Sequence, residues 1–313
     1  MTTTELRRAR TAVVVAFGTN GLVHSSFISR IPALGDTLGL STAQLGLLLL
    51  CLSGGAISSL PLSGPLVQRI SPARAVLAGA LAVTTGLATL VAALLGGPVL
   101  VAGLGIYVTG LGMGVWEVAM NVSGADVEQR LGSTTLMPRL HAAISIGTVG
   151  GAAVGAVSSA TGVPLAAQVL GVIVIMPVLM TLTVLHFTTP IPVAGGPTRD
   201  GGVLEAWREP RTLIIGLLVL GFAFPEGSAN EWIAYALVNG YGTSETVGAV
   251  AFALFVTAMT IGRLLGGTVL ARFGRVAVLR AGGRERAVCG ARRAAHRPAR
   301  LGCGATGGAG EDH

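Results

Sequence analysis

The chain has 313 residues, of which 51% are apolar and only 11% are charged, and its formal net charge is +7. Because soluble domains carry about 25% charged residues, this composition excludes an ordinary soluble domain and predicts an all-α protein that crosses a membrane many times. The positive charge does not indicate a nucleic-acid partner, because the basic residues fall between apolar runs and do not gather on one surface. All 21 basic residues are arginine, so the chain has no lysine for a P-loop or a pyridoxal Schiff base.

Apolar runs of about 20 residues, the length needed to cross a bilayer, recur along the chain. A signal peptide does not explain the first run, because no small-residue cleavage site follows it and further runs come after it. Ser41-Thr42-Ala43-Gln44 has the capping-box pattern and predicts the start of the second helix. The predicted spans are about 12–31, 42–67, 75–95, 99–122, 139–160, 165–186, 212–238 and 246–270.

Irregular chain is predicted between these spans. The seventh span is expected to be interrupted at Pro225-Glu226-Gly227, since proline removes a helical hydrogen bond. A stretch from 188 to 211, polar and rich in Pro and Gly, is the one long linker. A loop is predicted over 32–40, and a polar loop at Asp126, Glu128 and Arg130.

A short basic stretch occurs twice, 203 positions apart. The first copy is Gly64-Pro65-Leu66-Val67-Gln68-Arg69-Ile70-Ser71, and the second is Gly267-Thr268-Val269-Leu270-Ala271-Arg272-Phe273-Gly274-Arg275. Each copy predicts a turn between two membrane helices, where the glycine ends one helix and lets it approach its neighbour closely. The same offset carries Ser41 onto Ser244. Two halves built from the same helical repeat are typical of transporters.

The repeated stretch resembles the Gly-x-Leu-x-Asp-Arg-x-Gly-Arg loop motif of the major facilitator superfamily, found after the second helix and, more weakly, after the eighth. Gln68 and Ala271 replace the motif's Asp, and Ser71 replaces its Gly. The resemblance covers residues 1 to about 280 and implies a bundle of two helical halves. The structural or gating residues expected from it and from its flanking arginines are Gly64, Leu66, Arg69, Arg74, Gly267, Arg272, Gly274, Arg275 and Arg139.

Four segments are predicted on this plan. They are a six-helix half (1–187), a cytoplasmic linker (188–211), the first two helices of a second half (212–275) and an Arg/Ala/Gly-rich tail (276–313). A superfamily member would continue into four more spans, but the composition changes abruptly from Ala281 on. Translation of a GC-rich gene in the wrong frame gives such a change, so we expect a truncated or frameshifted product. The alternative is a natural disordered basic tail.

Two patterns in the tail are attributed to chance. A G-x-G-x-x-G run at 302–307 has no strand before it and no helix after it, as a dinucleotide site requires. Cys289, His296, Cys303 and His313 do not repeat the ligand spacings of zinc fingers. No cofactor and no metal are therefore expected.

Arginine placement predicts the orientation of the chain. With the N-terminus in the cytoplasm of a bacterial inner membrane, twelve arginines at helix ends and in loops lie inside. Only Arg30 then lies near the outer surface. This excess on one side is the positive-inside pattern of multi-pass proteins.

Glu117 is the first candidate for solute or proton handling. An ionisable group at membrane depth costs roughly 2.5 to 3.5 kcal/mol, so it faces a cavity or a partner. Asn121 follows four residues later and shares the same face of helix four. Trp116-Glu117 with Asn121 resembles the fourth helix of fucose-permease-like sugar/proton symporters, whose Glu takes part in sugar and proton handling. The alternative is that Glu117 only pairs with Arg139 at the start of helix five.

Four further polar residues are candidates for the cavity. Glu226 and Asn230 follow the predicted break in helix seven, where unwound backbone would line a cavity. On helix one, Asn20 is a candidate contact. His24 is either a proton carrier or a neutral histidine hydrogen-bonded between helices. Arg30 also stands out on that helix as a charged residue.

Small residues at intervals of four predict close helix pairs. They are Gly110-x-x-x-Gly114, Gly147-x-x-x-Gly151, Gly151-x-x-x-Gly155 and Gly262-x-x-x-Gly266. Cys51, inside an apolar run, is also assigned the role of a small packing residue.

The predicted function is secondary transport of a small polar solute, a sugar being the candidate, coupled to protons by rocking one half against the other. The partners are then the solute, protons and the lipid bilayer, with no nucleic acid, and a monomer is expected. Two alternatives from other classes stay open: a defective fragment that transports nothing, and a membrane scaffold or intramembrane enzyme. An enzyme is not expected, because no Ser/His/Asp or His-x-x-x-His grouping occurs at compatible depth.

Overall fold

The computed structural model describes residues 2–132, 136–188, 209–274 and Arg280. Within these ranges the chain forms nine α-helices. A π-helical turn, Ala236–Gly240, directly follows the helix Pro210–Tyr235. The chain divides into two compact units, residues 1–260 and 261–313. The helices are α1 Thr3–Ile28, α2 Ile31–Leu38, α3 Thr42–Ile70, α4 Pro72–Leu94, α5 Val99–Leu131, α6 Leu136–Ala160, α7 Leu165–Val184, α8 Pro210–Tyr235 and α9 Glu245–Phe273.

Seven helices in the described residues are long and apolar enough to cross a membrane. They are α1, the five helices α3 to α7, and the Glu245–Gly262 part of α9. Each lies where the sequence predicts a span. The 26-residue α8 occupies the position of the predicted seventh span. The predicted division into four segments stays a prediction, and its linker from 189 to 208 and its tail lie outside the described residues, apart from Arg280.

The predicted cap of α3 is confirmed. The backbone N–H of Gln44 donates to the Ser41 hydroxyl at 3.3 Å, and the Ser41 N–H donates to the Gln44 side chain at 2.9 Å. Ser244, at the repeat offset, accepts from the Val247 N–H at 3.3 Å at the start of α9. The duplicated serine therefore performs the same local task in both copies, which is to satisfy free N–H groups at a helix start.

Two predicted loops are helical. The stretch 32–40 holds α2, which ends at Gly39 with a φ of 62°, a conformation that glycine adopts without strain. The polar loop after span four is the last two turns of α5, which ends at Gly132 with a φ of 59°. There Arg130 and Asp126 form an i, i+4 ion pair of 2.8 Å, so the charges stabilise the helix end.

The first copy of the repeated motif also departs from the prediction. Gly64 does not end a helix or allow a close approach, because α3 runs on to Ile70 and no atom lies within 4 Å of the position a Gly64 Cβ would take. Ser71 alone separates α3 from α4, with a φ of 81° and a ψ of 153°. Gly274, the equivalent residue of the second copy, has a φ of 77° after the end of α9. The motif's glycine position thus demands a positive φ, and Ser71 meets it under strain.

The predicted break in the seventh span is wrong. Pro225 lies inside a continuous α8, and the irregular hydrogen bonding comes eleven residues later, in the turn Ala236–Gly240. Proline removes one hydrogen bond, but the bonds on either side continue, and membrane helices tolerate such a residue.

Glycines set the closest helix contacts in the first unit, as predicted. A Cβ on Gly147 would lie 2.0 Å from the Gly18 carbonyl oxygen of α1, and one on Gly151 would lie 2.2 Å from the Leu22 oxygen. Between α3 and α5, a Cβ on Gly110 would lie 2.0 Å from the Leu52 oxygen. Gly114 and Gly155 are equally tight, each against a serine hydroxyl. The pair Gly262 and Gly266 falls in the second unit and stays a prediction.

Candidate functional site

A groove of about 580 Å³ runs between α3 and α5, and Glu117 lies on its wall. Glu117 is exposed, and Asn121, one turn along α5, is half-buried and also lines the groove. The Asn121 amide donates to the backbone oxygen of Glu117 at 2.9 Å. Ala56, Ile57 and Leu60 of α3 form the apolar wall opposite. Among the lining residues that the structure describes, Glu117 is the only one with an ionisable side chain.

Asn20 approaches the same face of α5. Its side-chain amide donates to the sulfur of Met113 at 3.8 Å, and Met113 precedes Glu117 by four residues, one helical turn. Asn20 is buried, whereas His24, one turn further along α1, is exposed and is not among the groove's lining residues. The structure therefore brings Asn20 to the helix that carries Glu117 and Asn121, but neither Asn20 nor His24 lines the groove.

The alternative assignment of Glu117 as the ion-pair partner of Arg139 does not hold. Within the described residues, ion pairs join Arg30 to Glu245 and Arg130 to Asp126. Arg139 lies in the first turn of α6 and is exposed. Glu117 thus has no cationic partner in the described part of the chain, and its carboxylate faces the groove.

Glu226 and Asn230 are both half-buried on α8, and neither lines the groove. The contacts that α8 makes with α3 come from residues further along. Trp232 packs within 3.6 Å of the position a Gly46 Cβ would take, and the Tyr235 hydroxyl lies 2.9 Å from the Thr42 hydroxyl. Because α8 is not unwound at Pro225, the expected reason for Glu226 to line a cavity is absent, and both residues stay predictions.

A second groove, of about 1000 Å³, lies at the end of the bundle where α3 meets α4, and the motif stretch lines it from Val67 on, whereas Gly64 and Leu66 do not line it. Arg69 and Arg74 are exposed and line it, together with residues of α5 and α7. In the second copy, the Arg272 guanidinium lies 5.8 Å from the centroid of the Phe273 ring. The side chains of residues 266–271, which include the motif's Gly267, and the whole of Arg275 lie outside what the structure describes.

A buried arginine cluster that the sequence did not predict lies at the opposite end of the bundle. Arg30, only 3% exposed, pairs through Nε with Glu245 at the start of α9. Its Nη1 donates to the Gln168 side chain at 3.0 Å, and its Nη2 donates to the Val163 carbonyl at 3.1 Å. Gln168 in turn donates to the Ser26 carbonyl at 2.8 Å. We call these five residues the Arg30 cluster; it joins α1, α7, the turn before α7, and α9.

One sequence feature could have pointed to this cluster. Arg30 is the single arginine predicted near the outer surface, whereas the other twelve are predicted on the cytoplasmic side. A lone arginine at a helix end needs a partner or water. Its partners lie 133 to 215 positions away in the chain. Distant partners of this kind leave no pattern in a single sequence.

No group of three or more His, Cys, Asp or Glu side chains in the described residues could hold a metal ion.

No protein-family model matches the sequence. An uncharacterized MFS-type transporter of Yersinia pestis is 31% identical over 271 residues, which cover 86% of this chain and 67% of that protein. The chain belongs to the MFS-type transporters. An uncharacterized transporter of Sinorhizobium fredii is 27% identical over 272 residues, covering 87% of this chain and 70% of the relative.

The fold agrees with this family. The crystal structure of the nucleoside transporter NupG aligns with a TM-score of 0.64 over 85% of this chain and 68% of that chain, at 15% identity. At that identity the likeness shows the fold alone, an all-α MFS-type helical bundle. The chain is thus a multi-pass membrane protein, and its resemblance to the major facilitator superfamily is confirmed.

Proposed function

We propose that this MFS-type chain takes part in secondary transport of a small, neutral, hydroxyl-rich solute, a sugar, coupled to protons. The observation that carries the proposal is the exposed Glu117 carboxylate, which faces a groove and has no cationic partner among the described residues. Transport is proposed in preference to catalysis, because the relatives are named transporters.

The groove's chemistry supports a neutral solute. Glu117 and Asn121 offer a carboxylate and an amide one turn apart, and both can hydrogen-bond to hydroxyl groups. Asn20 contacts Met113, one turn before Glu117 on α5, but does not line the groove itself. The opposite wall is apolar, as it is in most small-molecule sites, where a few polar groups fix the orientation of the ligand.

Glu117 is also the residue proposed to carry the proton. It lies two residues past Val115, the middle residue of α5. At that depth a charged carboxylate costs roughly 2.5 to 3.5 kcal/mol on insertion scales, so an ionisable residue kept there marks a functional position. A proton that binds and leaves with each cycle would couple the solute to the proton gradient.

Alternating access is proposed from contacts at the Arg30 end of the bundle. There the Arg30 cluster, the Thr42–Tyr235 hydroxyl pair and the Ser159–Thr246 hydroxyl pair of 3.2 Å join the first six membrane helices to α8 and α9. These contacts must separate when that end opens. We further propose that this end faces outward in a bacterial inner membrane, with the N-terminus in the cytoplasm, because the arginine excess lies at the other end.

The test is uptake by the full chain reconstituted in vesicles. We expect a pH gradient, acid outside, to drive accumulation of a radiolabelled monosaccharide from a panel. Glu117→Gln is expected to abolish that accumulation but to retain exchange of labelled for unlabelled sugar, because a glutamine amide can still hydrogen-bond to sugar hydroxyls but cannot carry the proton. Asp36→Asn, which removes an exposed carboxylate on α2 outside the groove, is the matched control and should behave as wild type.

Two results would overturn the proposal. Accumulation by Glu117→Gln at the wild-type rate would show that this carboxylate carries no proton. Failure of the wild-type chain to move or bind any sugar of the panel would exclude sugar transport by this chain and favour the scaffold or inactive-fragment alternative.

A further inference from the structure

A basic cavity of about 420 Å³ lies between the N-terminal turns of α1 and the C-terminal end of α7. Arg7, Arg8 and His186 line it, with the hydroxyl of Thr4 beside them. Both arginines are exposed, and neither forms an ion pair within the described residues. The cavity is separate from the groove at Glu117 and from the one at Arg69, and shares no lining residue with either.

Among the lining residues that the structure describes, none carries a carboxylate. Glu5, the nearest in sequence, accepts the Thr2 backbone N–H at 2.7 Å and so caps the start of α1; it attracts Arg8, three residues on, but forms no ion pair with it. His186 Nδ1 lies 3.2 Å from the Leu182 carbonyl oxygen, and when Nδ1 donates there, Nε2 remains for another partner. The mouth of the cavity therefore holds two guanidinium groups and an imidazole with donors available to an anion.

Away from its mouth the cavity is mostly apolar, since the hydroxyls of Thr11 and Thr183, which also line it, donate to the backbone oxygens of Arg7 and Leu179. Ala12, Val15 and Leu182 form this wall, and Leu182 is 58% exposed. These residues continue into the membrane-spanning parts of α1 and α7. A cavity with a basic mouth and an apolar wall along two membrane helices matches a molecule with an anionic head and a hydrocarbon tail.

We propose that this cavity binds an anionic phospholipid, with its phosphate on Arg7 and Arg8 and an acyl chain along Val15 and Leu182. Arginine suits the phosphate because its planar guanidinium donates two parallel hydrogen bonds to it. A free phosphate ion shares the head-group chemistry, but it would gain nothing from the apolar wall. The proposal does not rest on the proposed transport function or on the orientation of the chain.

The test is native mass spectrometry of the full chain in neutral detergent, titrated with dioleoyl phosphatidylglycerol, dioleoyl phosphatidylcholine or inorganic phosphate. We expect wild type to retain phosphatidylglycerol in preference to phosphatidylcholine. Since each basic side chain near an anionic surface contributes about a factor of five in affinity, Arg7→Gln/Arg8→Gln should weaken phosphatidylglycerol binding at least about tenfold. Arg10→Gln is the matched control: it removes the same charge from the same helix, but Arg10 does not line the cavity.

Several outcomes would overturn the proposal. Equal weakening by Arg10→Gln would show general charge attraction, and unchanged binding by the double variant would exclude the cavity. Displacement of the lipid by inorganic phosphate at millimolar concentration would identify a free-anion site. The comparison of the two lipids on wild type needs no variant, so equal retention of both overturns the proposal even if the double variant does not fold.

Discussion

Replacing Arg30 with Met is expected to destabilise the protein by about 3 kcal/mol, because three acceptors lose their donor at once. The Gln168 side chain and the Val163 carbonyl lose hydrogen bonds of 3.0 and 3.1 Å, and Glu245 loses its counter-ion. Removing one partner of a buried pair costs about 3 to 5 kcal/mol. Because the Glu245 side chain is 28% exposed and regains water, the lower end of that range applies.

The Glu245→Gln variant completes a double-mutant cycle. It leaves the Arg30 charge buried but still bonded to Gln168 and Val163, so we expect a loss of about 1 to 2 kcal/mol. The double variant should lose less than the two single variants together, with a coupling energy of about 1 to 2 kcal/mol. Arg30→Lys should destabilise the protein by an intermediate amount. A compact ammonium group cannot reach the three acceptors that surround the planar guanidinium group.

The assay is denaturant unfolding in mixed micelles, followed by far-ultraviolet circular dichroism. Arg10→Met serves as the control, since Arg10 is exposed and lies at the other end of α1, and it should lie within about 0.5 kcal/mol of wild type. If Arg30→Met were equally mild, or if the effects of Arg30→Met and Glu245→Gln were simply additive, the cluster would not couple these helices.

Three further substitutions test other contacts by the same unfolding assay. Ser71→Gly should stabilise the protein by about 1 kcal/mol, because glycine adopts a φ of 81° without strain; a loss of stability would show that the serine is unstrained. Gly147→Val should destabilise it by about 3 kcal/mol or more, since its Cβ would lie 2.0 Å from the Gly18 oxygen. Gly171→Val, at a position with open space, is its control, and equal effects would refute the packing argument. Tyr235→Phe should cost about 1 kcal/mol by removing the 2.9 Å hydroxyl contact to α3, and an unchanged midpoint would contradict that.

The positions of the membrane spans could be predicted because hydropathy depends on local composition alone. The start of α3 was also predictable, since Ser41 and Gln44 satisfy each other's backbone groups within one turn. Helix ends were less predictable. At Gly64 and Pro225 the sequence suggests a helix end or a break. Both helices nevertheless continue, because backbone hydrogen bonds form on either side of these residues.

The candidate site was predictable only in part. Glu117 and Asn121 share a face by helical period alone, and the structure places both on one groove. That Glu117 faces the groove and does not pair with Arg139 depends on how α5 and α6 pack, which no local pattern specifies. Glu226 and Asn230 remain untested, since their assignment depended on an unwound segment that α8 lacks.

The sequence by itself determined that this chain is a helical membrane protein with a repeated plan, because span length, caps and the repeated motif are properties of neighbouring residues. Tertiary structure alone decided which of those residues meet. Arg30 finds Glu245 across 215 positions, and glycines such as Gly147 meet the Gly18 backbone only once two helices pack. Such contacts join residues far apart in the chain, and their energies depend on distances that only the folded bundle sets.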